Sequence, residues 1–217
     1  MRTSNSNNKL IVFLREHKSL LLNIYISINF LIFAVWNIYS SLKEASFDFT
    51  LISYTIQTTF LIVFVLIRKQ HKLIDKNYLH QFIALAAFFS GILFIWLPQT
   101  GGDTEKLISN IIIFISNILG VITIINLGRS FGILIAMREI KTNGLYSFVR
   151  HPMYGTDILL RIGFIVNHFT PVSVILIVVS ILCYLYRAIL EEKYLSKEED
   201  YKLYMNKVRY RFIPFVF

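Results

Sequence analysis

Long apolar runs separated by short polar segments dominate this chain. The first four apolar runs cover residues 19–42, 49–67, 79–97 and 107–127. Each has roughly 20 residues, the length that crosses a hydrocarbon core of about 30 Å as an α-helix. The pattern predicts an all-α fold, a polytopic membrane bundle in which four transmembrane helices occupy residues 1–127.

A fifth apolar region, residues 157–190, is too long for one span and is interrupted at residues 167–171. Asn167 and Pro171 favour a turn there, and Pro171 suits the first position of a returning helix. We therefore expect a helical hairpin with legs at about 152–166 and 172–187. Asp157 and Arg161 are spaced i, i+4, so they are expected to pair, either beside a polar cavity or as an interfacial salt bridge.

Composition and charge support a membrane protein. Hydrophobic residues make up 55% of the chain, and the mean hydropathy is +0.60. The net charge of +9 follows the positive-inside pattern rather than a nucleic-acid-binding surface, so nucleic acid is excluded as a partner. The basic residues that this pattern assigns to the cytoplasmic side are Arg2, Lys9, Arg15, Lys18, Arg68, Lys69, Lys72, Lys76, Arg129, Arg138, Lys141 and Arg150. Both termini are therefore predicted to be cytoplasmic, and the Ile-, Lys- and Asn-rich usage indicates a bacterial inner membrane.

Residues 143–154 form a short polar stretch at the predicted cytoplasmic face. It contains Tyr146, Ser147, Arg150, His151 and Tyr154. A helix is predicted to begin at Pro152, with His151 just outside it, because proline suits the first helical position. Such a helix start offers free N–H groups to a carboxylate or phosphate. The alternative is a helix cap with an extended Arg150 and interfacial tyrosines.

A second polar group lies at the end of the returning leg. Arg187 and Glu191 share a helix face, and Glu192 follows them. A surface ion pair would explain the spacing. The hairpin also predicts that these residues lie near His151 and Tyr154. An anion-binding site beside carboxylates would suit a ligand that has both an ammonium and a carboxylate group.

The tail of the chain, residues 201–214, has apolar and aromatic positions at helical spacing between lysines. This pattern is typical of an amphipathic helix on an anionic membrane surface. No cluster of residues with metal-ligand spacing is present in the sequence, so no metal site is predicted. The single cysteine, Cys183, rules out a disulfide framework.

The polar segments together resemble the isoprenylcysteine carboxyl methyltransferase family, to which the phospholipid N-methyltransferases are related. The resemblance covers residues 127–217 and rests on an ordered set of motifs. These are Leu-Gly-Arg-Ser-Phe-Gly at 127–132, Thr-Asn-Gly-Leu-Tyr at 142–146, Arg-His-Pro-Met-Tyr at 150–154, Arg-x-x-x-Glu-Glu at 187–192, Tyr-x-x-Tyr at 201–204 and Arg-Phe-Ile-Pro at 211–214.

The resemblance implies an integral membrane enzyme that uses S-adenosylmethionine to methylate a lipophilic acceptor, either an isoprenylcysteine-like carboxylate or a lipid. Residues 128–217 would be the catalytic region, with a cytoplasmic cofactor pocket. Arg187 would orient the acceptor and Glu191 would act in catalysis. The residues that the resemblance assigns to the cofactor are Leu145, Tyr146, Arg150, His151, Pro152, Tyr154, Glu191 and Glu192.

One position departs from the family pattern. Relatives commonly have Tyr-Leu-Gly or a similar triplet where this chain has Tyr154, Gly155 and Thr156, followed by Asp157. Membrane sterol reductases that use NADPH share the Arg-His-Pro-x-Tyr core. The sequence therefore leaves two alternatives beside the methyltransferase, a sterol or steroid reductase and a non-catalytic lipid-binding membrane protein. It leaves the oligomeric state open.

Overall fold

The computed structural model describes residues 18–43, 49–69 and 71–216. Within these ranges the chain is mostly helical, which confirms the predicted all-α class. The helices are α1 (Lys18–Lys43), α2 (Phe49–Ile67), α3 (Tyr78–Phe89), α4 (Asp103–Leu127), α5 (Pro152–Asn167), α6 (Pro171–Leu195) and α7 (Glu199–Lys207). Short 3₁₀ segments follow α3 (Ser90–Trp96), follow α4 (Gly128–Ser130) and precede α5 (Gly144–Ser147).

Two of the described helices, over Asp103–Ser130 and Pro171–Leu195, are long and apolar enough to cross a membrane. Only 39% and 28% of their most apolar windows are buried, so their apolar faces are mostly exposed rather than packed in a core. The apolar stretches Asn23–Trp36, Ile52–Ile67 and Tyr78–Phe89 are shorter. A membrane protein is supported, and the number of four spans stays a prediction. The basic residues Arg2, Lys9 and Arg15 lie outside the described residues.

The predicted hairpin is confirmed. Helix α5 begins with Pro152 at its first turn and ends at Asn167, and α6 begins with Pro171. The Thr170 side chain caps α6 by accepting a hydrogen bond from the Ser173 N–H. Helix α5 packs along α4, where the Ser109 hydroxyl donates to the Gly163 carbonyl at 2.8 Å. The hairpin is therefore held against the core of the bundle.

An extended segment that the sequence analysis did not predict follows α4. Its side chains alternate, since Phe131, Ile133, Ile135 and Met137 are at most 1% exposed. Two of its residues, β2 (Ala136–Met137), pair antiparallel with β1 (Leu73–Ile74). Because alternate residues of an extended chain face opposite sides, the even-numbered residues face away from this core.

The tail corrects one prediction. Helix α7 is amphipathic, but its aromatic face is buried against the protein and not on a membrane surface. Tyr201 and Tyr204 are 3% and 6% exposed, and the Tyr204 hydroxyl donates to the Tyr146 carbonyl at 2.6 Å. The residues after α7 return over the start of α5, where the Arg150 and His151 N–H groups donate to the Tyr210 and Arg211 carbonyls. The periodicity was correct, and the partner is the protein itself.

Candidate active site

A polar cavity of about 110 Å³ lies where the extended segment, the start of α5, the end of α6 and α7 meet. The volume has room for several groups the size of water. Residues on its wall include Gly132, Ala136, Arg138, Tyr146, Arg150, His151, Met153, Tyr154, Glu191, Tyr201 and Tyr204. We call it the polar cavity. It brings together residues from both polar stretches that the sequence analysis singled out.

Behind this cavity, the buried Glu192 carboxylate accepts hydrogen bonds from three basic side chains. Its Oε1 accepts hydrogen bonds from Arg150 Nε at 2.8 Å and from His151 Nε2 at 3.2 Å. Arg211 adds bonds of 3.0 Å from Nε and Nη2 to Oε2. Glu192 is 4% exposed and is not on the cavity wall. These contacts fix the start of α5 to the end of α6 and to the tail.

The neighbouring Glu191 faces the polar cavity. Consecutive residues of an α-helix point about 100° apart, so the two glutamates cannot face the same way. Glu191 Oε1 accepts a bond from Arg187 Nε at 3.2 Å, and Oε2 lies 3.9 Å from His151 Nδ1. The Tyr154 hydroxyl also donates to the Glu191 carboxylate, so Glu191 joins the side chains of Arg187, His151 and Tyr154 at the cavity wall.

Tyr154 is the centre of a stack of rings and cations. Its ring lies parallel to His151, with centroids 5.2 Å apart, and nearly parallel to Tyr184 at 5.0 Å. The Arg187 guanidinium carbon lies 4.9 Å from the Tyr154 ring centroid. The stack fixes Tyr154 rigidly, which suits a residue that must position reacting groups.

The loop that carries Tyr146 is anchored to the end of α4. Gly144 has φ +62°, and its position against the Asn126 side chain leaves no space for a Cβ. The Asn126 amide oxygen accepts the Leu145 N–H at 2.9 Å. Burial, and then the charge of Glu191, raise the pKa of Tyr146 above its ordinary value. Tyr146 therefore presents a neutral phenol to the cavity.

Arg138 is a functional candidate that the sequence analysis treated only as a topological charge. It is 8% exposed and lies on the wall of the polar cavity. Within the described part of the chain, its guanidinium Nε is buried without a hydrogen-bond partner, and the charge of Glu191 acts on it. Burial and the nearby Arg68 lower the pKa of Arg138 to about 10, so it still carries its charge at neutral pH. An unpaired N–H on a buried cation is costly, and an anionic ligand at this position would satisfy it.

Along residues 131–138, side chains that face the core alternate with side chains that face the polar cavity. This alternation is the sequence signal that could have placed Arg138 at the cavity. Gly132 faces the same side, and a methyl group in place of its hydrogen would coincide with the Arg138 guanidinium. Glycine is therefore required for the arginine to reach its position.

A second cavity of about 640 Å³ lies beside Tyr154. Its wall comes from α1 to α6 and the start of the extended segment and is largely apolar, with Ile26, Phe30, Leu61, Phe88 and Phe131 among its residues. We call it the apolar cavity. Gly132, Met153 and Tyr154 line both cavities, and Arg187 lines this one. The two spaces therefore share a wall at the Tyr154 stack.

The predicted site residues divide into three groups. Tyr146, Arg150, His151, Tyr154 and Glu191 line the polar cavity, and Arg187 lines the apolar cavity. Arg150 is also bound internally, because its Nη1 donates to the Val208 and Arg209 carbonyls at 2.9 and 2.8 Å. Three further residues lie behind the wall and support it, namely Leu145, Pro152 and Glu192.

The tail covers the start of α5, where the sequence analysis predicted an anion-binding site. The Phe212 carbonyl oxygen lies only 2.9 Å from where a Cβ on Gly155 would stand. The Gly155 N–H donates to the His151 carbonyl. The buried cation that remains for an anion is Arg138, on the opposite wall.

The model of the phospholipid methyltransferase family matches residues 106–200. The matched segment contains α4, the extended segment, the Arg-His-Pro motif and α6 with its two glutamates. This match confirms the resemblance to the membrane methyltransferases that the motifs indicated. A comparison with curated proteins found none that matches the chain. Over this segment the chain is therefore similar to the phospholipid methyltransferases.

Proposed function

We propose that this protein is an integral membrane methyltransferase that transfers a methyl group from S-adenosylmethionine to a lipophilic acceptor. The observation that carries the proposal is the shared wall between a polar cavity and a larger apolar one. Methyl transfer is a direct displacement, so it needs donor and acceptor aligned in a site without water. Two cavities that meet at one rigid aromatic residue meet that requirement.

The side chains of the polar cavity fit the amino-acid end of S-adenosylmethionine. Arg138 would bind the carboxylate and Glu191 the ammonium group, and the rings of Tyr146 and Tyr154 would lie near the sulfonium charge. When bound, the cofactor supplies the electrophilic methyl group. His151 and Arg150 would act indirectly, because Glu192 holds them in the wall.

The apolar cavity, called the acceptor cavity from here on, would hold the apolar chain of an isoprenylcysteine-like carboxylate or of a lipid. Its reacting group would lie beside Tyr154 and Arg187, facing the polar cavity. Residues 1–127 would then supply most of the acceptor cavity, and residues 128–217 the catalytic region. The proposal includes a bacterial inner membrane with both termini in the cytoplasm.

Calorimetry on the protein in lipid nanodiscs tests the proposal. S-adenosylmethionine and its demethylated product should both bind. Arg138→Gln and Glu191→Gln should each weaken binding about tenfold or more, because each removes a charge-assisted hydrogen bond. Arg209→Gln, at an exposed arginine outside the cavity wall, is the matched control and should bind normally. Absence of binding by the wild type, or normal binding by Arg138→Gln, would overturn this assignment.

A further inference from the structure

Three buried groups that can donate hydrogen bonds lie where the end of α2 meets the segment after α4. They are Arg68 Nη1, Ser130 Oγ and Arg138 Nε, and none of these atoms has a hydrogen-bond partner among the described residues. Ser130 and Arg138 line the polar cavity and are 7% and 8% exposed. Buried donors without an acceptor are costly, and a ligand that accepts from them removes that cost.

The backbone at Arg68 is held beside Ser130 from both sides. The Lys69 N–H donates to the Arg129 carbonyl at 2.8 Å, and Arg129 Nε donates to the Ile67 carbonyl at 3.0 Å. Both chain neighbours of Arg68 are therefore bound to the residue that precedes Ser130. These bonds fix the end of α2 to the 3₁₀ segment that follows α4.

Arg68 and Arg138 are also close enough for their charges to act on each other. The Lys72 N–H donates to the Met137 carbonyl at 2.8 Å, so the chain after Arg68 runs beside the residue before Arg138. Burial, and then the Arg68 charge, lower the pKa of Arg138. Burial, and then the charges of Arg138 and Arg68, lower the pKa of His71. Like charges in a partly buried place repel each other, and an anion between them would offset that repulsion.

The ligand that fits these donors is a carboxylate with an ammonium group beside it. A carboxylate accepts several hydrogen bonds, and its bonds from a guanidinium are stronger than those between neutral groups. Glu191 lies on the wall of the same cavity, so a ligand with two negative charges, such as a phosphate, would be repelled there. An amino-acid group places one charge against the arginines and the other against Glu191.

We infer that Arg68 and Ser130 join Arg138 in binding the carboxylate of S-adenosylmethionine, so that the end of α2 is part of the donor site. The match to the family model begins at residue 106 and does not include Arg68. The inference rests on the proposed function, because it assigns two further residues to the methyl donor of that reaction. The N-terminal helices would then contribute to donor binding as well as to the acceptor cavity.

Paired calorimetry in lipid nanodiscs tests the inference, with S-adenosylmethionine and its decarboxylated analogue as the two probes. The analogue keeps the sulfonium and the amine but lacks the carboxylate, so the wild type should bind it about tenfold more weakly or worse. Arg68→Met should weaken binding of S-adenosylmethionine about tenfold and leave binding of the analogue unchanged, and Ser130→Ala should show a smaller loss of the same kind. Lys69→Met removes an exposed charge one residue away, so it is the matched control and should bind both probes normally.

The stability of the ligand-free protein separates binding from a structural role. Because Arg68 holds a buried N–H without an acceptor, Arg68→Met should keep or raise the thermal unfolding midpoint. A clear fall would show that Arg68 supports the fold, and it would overturn the inference. An Arg68→Met variant that prefers S-adenosylmethionine over the analogue as strongly as the wild type does would overturn it as well, while leaving the proposed function intact. A wild type that binds neither probe would overturn the proposed function itself, and this assignment with it.

Discussion

The two cavities on either side of Tyr154 differ in size and in the elements that form their walls. The polar cavity, of about 110 Å³, lies among the extended segment, the start of α5, the end of α6 and α7, whereas the acceptor cavity, of about 640 Å³, lies mainly among α1 to α6. Each wall has buried polar atoms without a hydrogen bond among the described residues, including Arg138 Nε in the first cavity and Gln57 Oε1 and Arg161 Nε in the second. The difference in size and lining favours two different ligands that meet at Tyr154.

The largest expected effect comes from removing the Glu192 carboxylate, which binds Arg150, His151 and Arg211 behind the wall that the two cavities share. Glu192→Ala would leave Arg150 buried without its carboxylate, which typically costs about 3–5 kcal/mol. The thermal unfolding midpoint of the purified protein should fall sharply. Glu191→Gln, the adjacent change on the cavity side, keeps an oxygen to accept from Arg187 and should lower that midpoint by less. Equal effects of the two changes on stability would show that the glutamates do not have separate roles.

These adjacent glutamates show what the sequence could and could not predict. Local spacing was enough for the ion pairs Arg187–Glu191 and Asp157–Arg161 and for the helix starts at the two prolines. It also brought the end of α6 next to His151, because a hairpin returns to its own starting face. Which glutamate points into the cavity depends on the rotation of α6 against its neighbours, and the sequence does not contain that information in any local pattern.

The extended segment was missed for a different reason. Its alternation is short, and its hydrogen bonds go to residues 72–75 and to Gln81, far away along the chain. Local propensity says little about such long-range pairing. For the same reason the aromatic face of α7 was predicted to lie on a membrane, although periodicity alone cannot distinguish a protein partner from a lipid one.

A smaller effect is expected from filling the acceptor cavity alone. Leu160 lines only that cavity, so Leu160→Trp should reduce methyl transfer to a long-chain acceptor and leave S-adenosylmethionine affinity unchanged. Ile162→Trp is the matched control, since Ile162 is on the same helix and 41% exposed. Both variants would be assayed for cofactor affinity by calorimetry and for methyl transfer with labelled cofactor. Loss of cofactor affinity in Leu160→Trp would mean that the cavities are not separate sites.

The smallest effect is expected at the rim of the polar cavity. Hydrogen bonds from Lys69 and Lys141 lower the pKa of Glu139 to about 2. A depressed carboxyl pKa contributes stability above the ordinary carboxyl pKa, and this contribution is lost as the pH falls towards about 2. Because the pairs are exposed, the contribution is small.

Glu139→Gln should therefore leave the unfolding midpoint almost unchanged at neutral pH. The small difference from the wild type should disappear on acidification. A large difference at neutral pH would show that the rim is more than a solvated ion-pair cluster.

The most direct test of two ligands meeting at Tyr154 is methyl transfer from labelled S-adenosylmethionine to a total membrane lipid extract, followed by mass identification of the product. We predict a labelled lipophilic product that is formed by the wild type and lost in Arg138→Gln. Tight cofactor binding without methyl transfer to any acceptor in the extract would contradict this account.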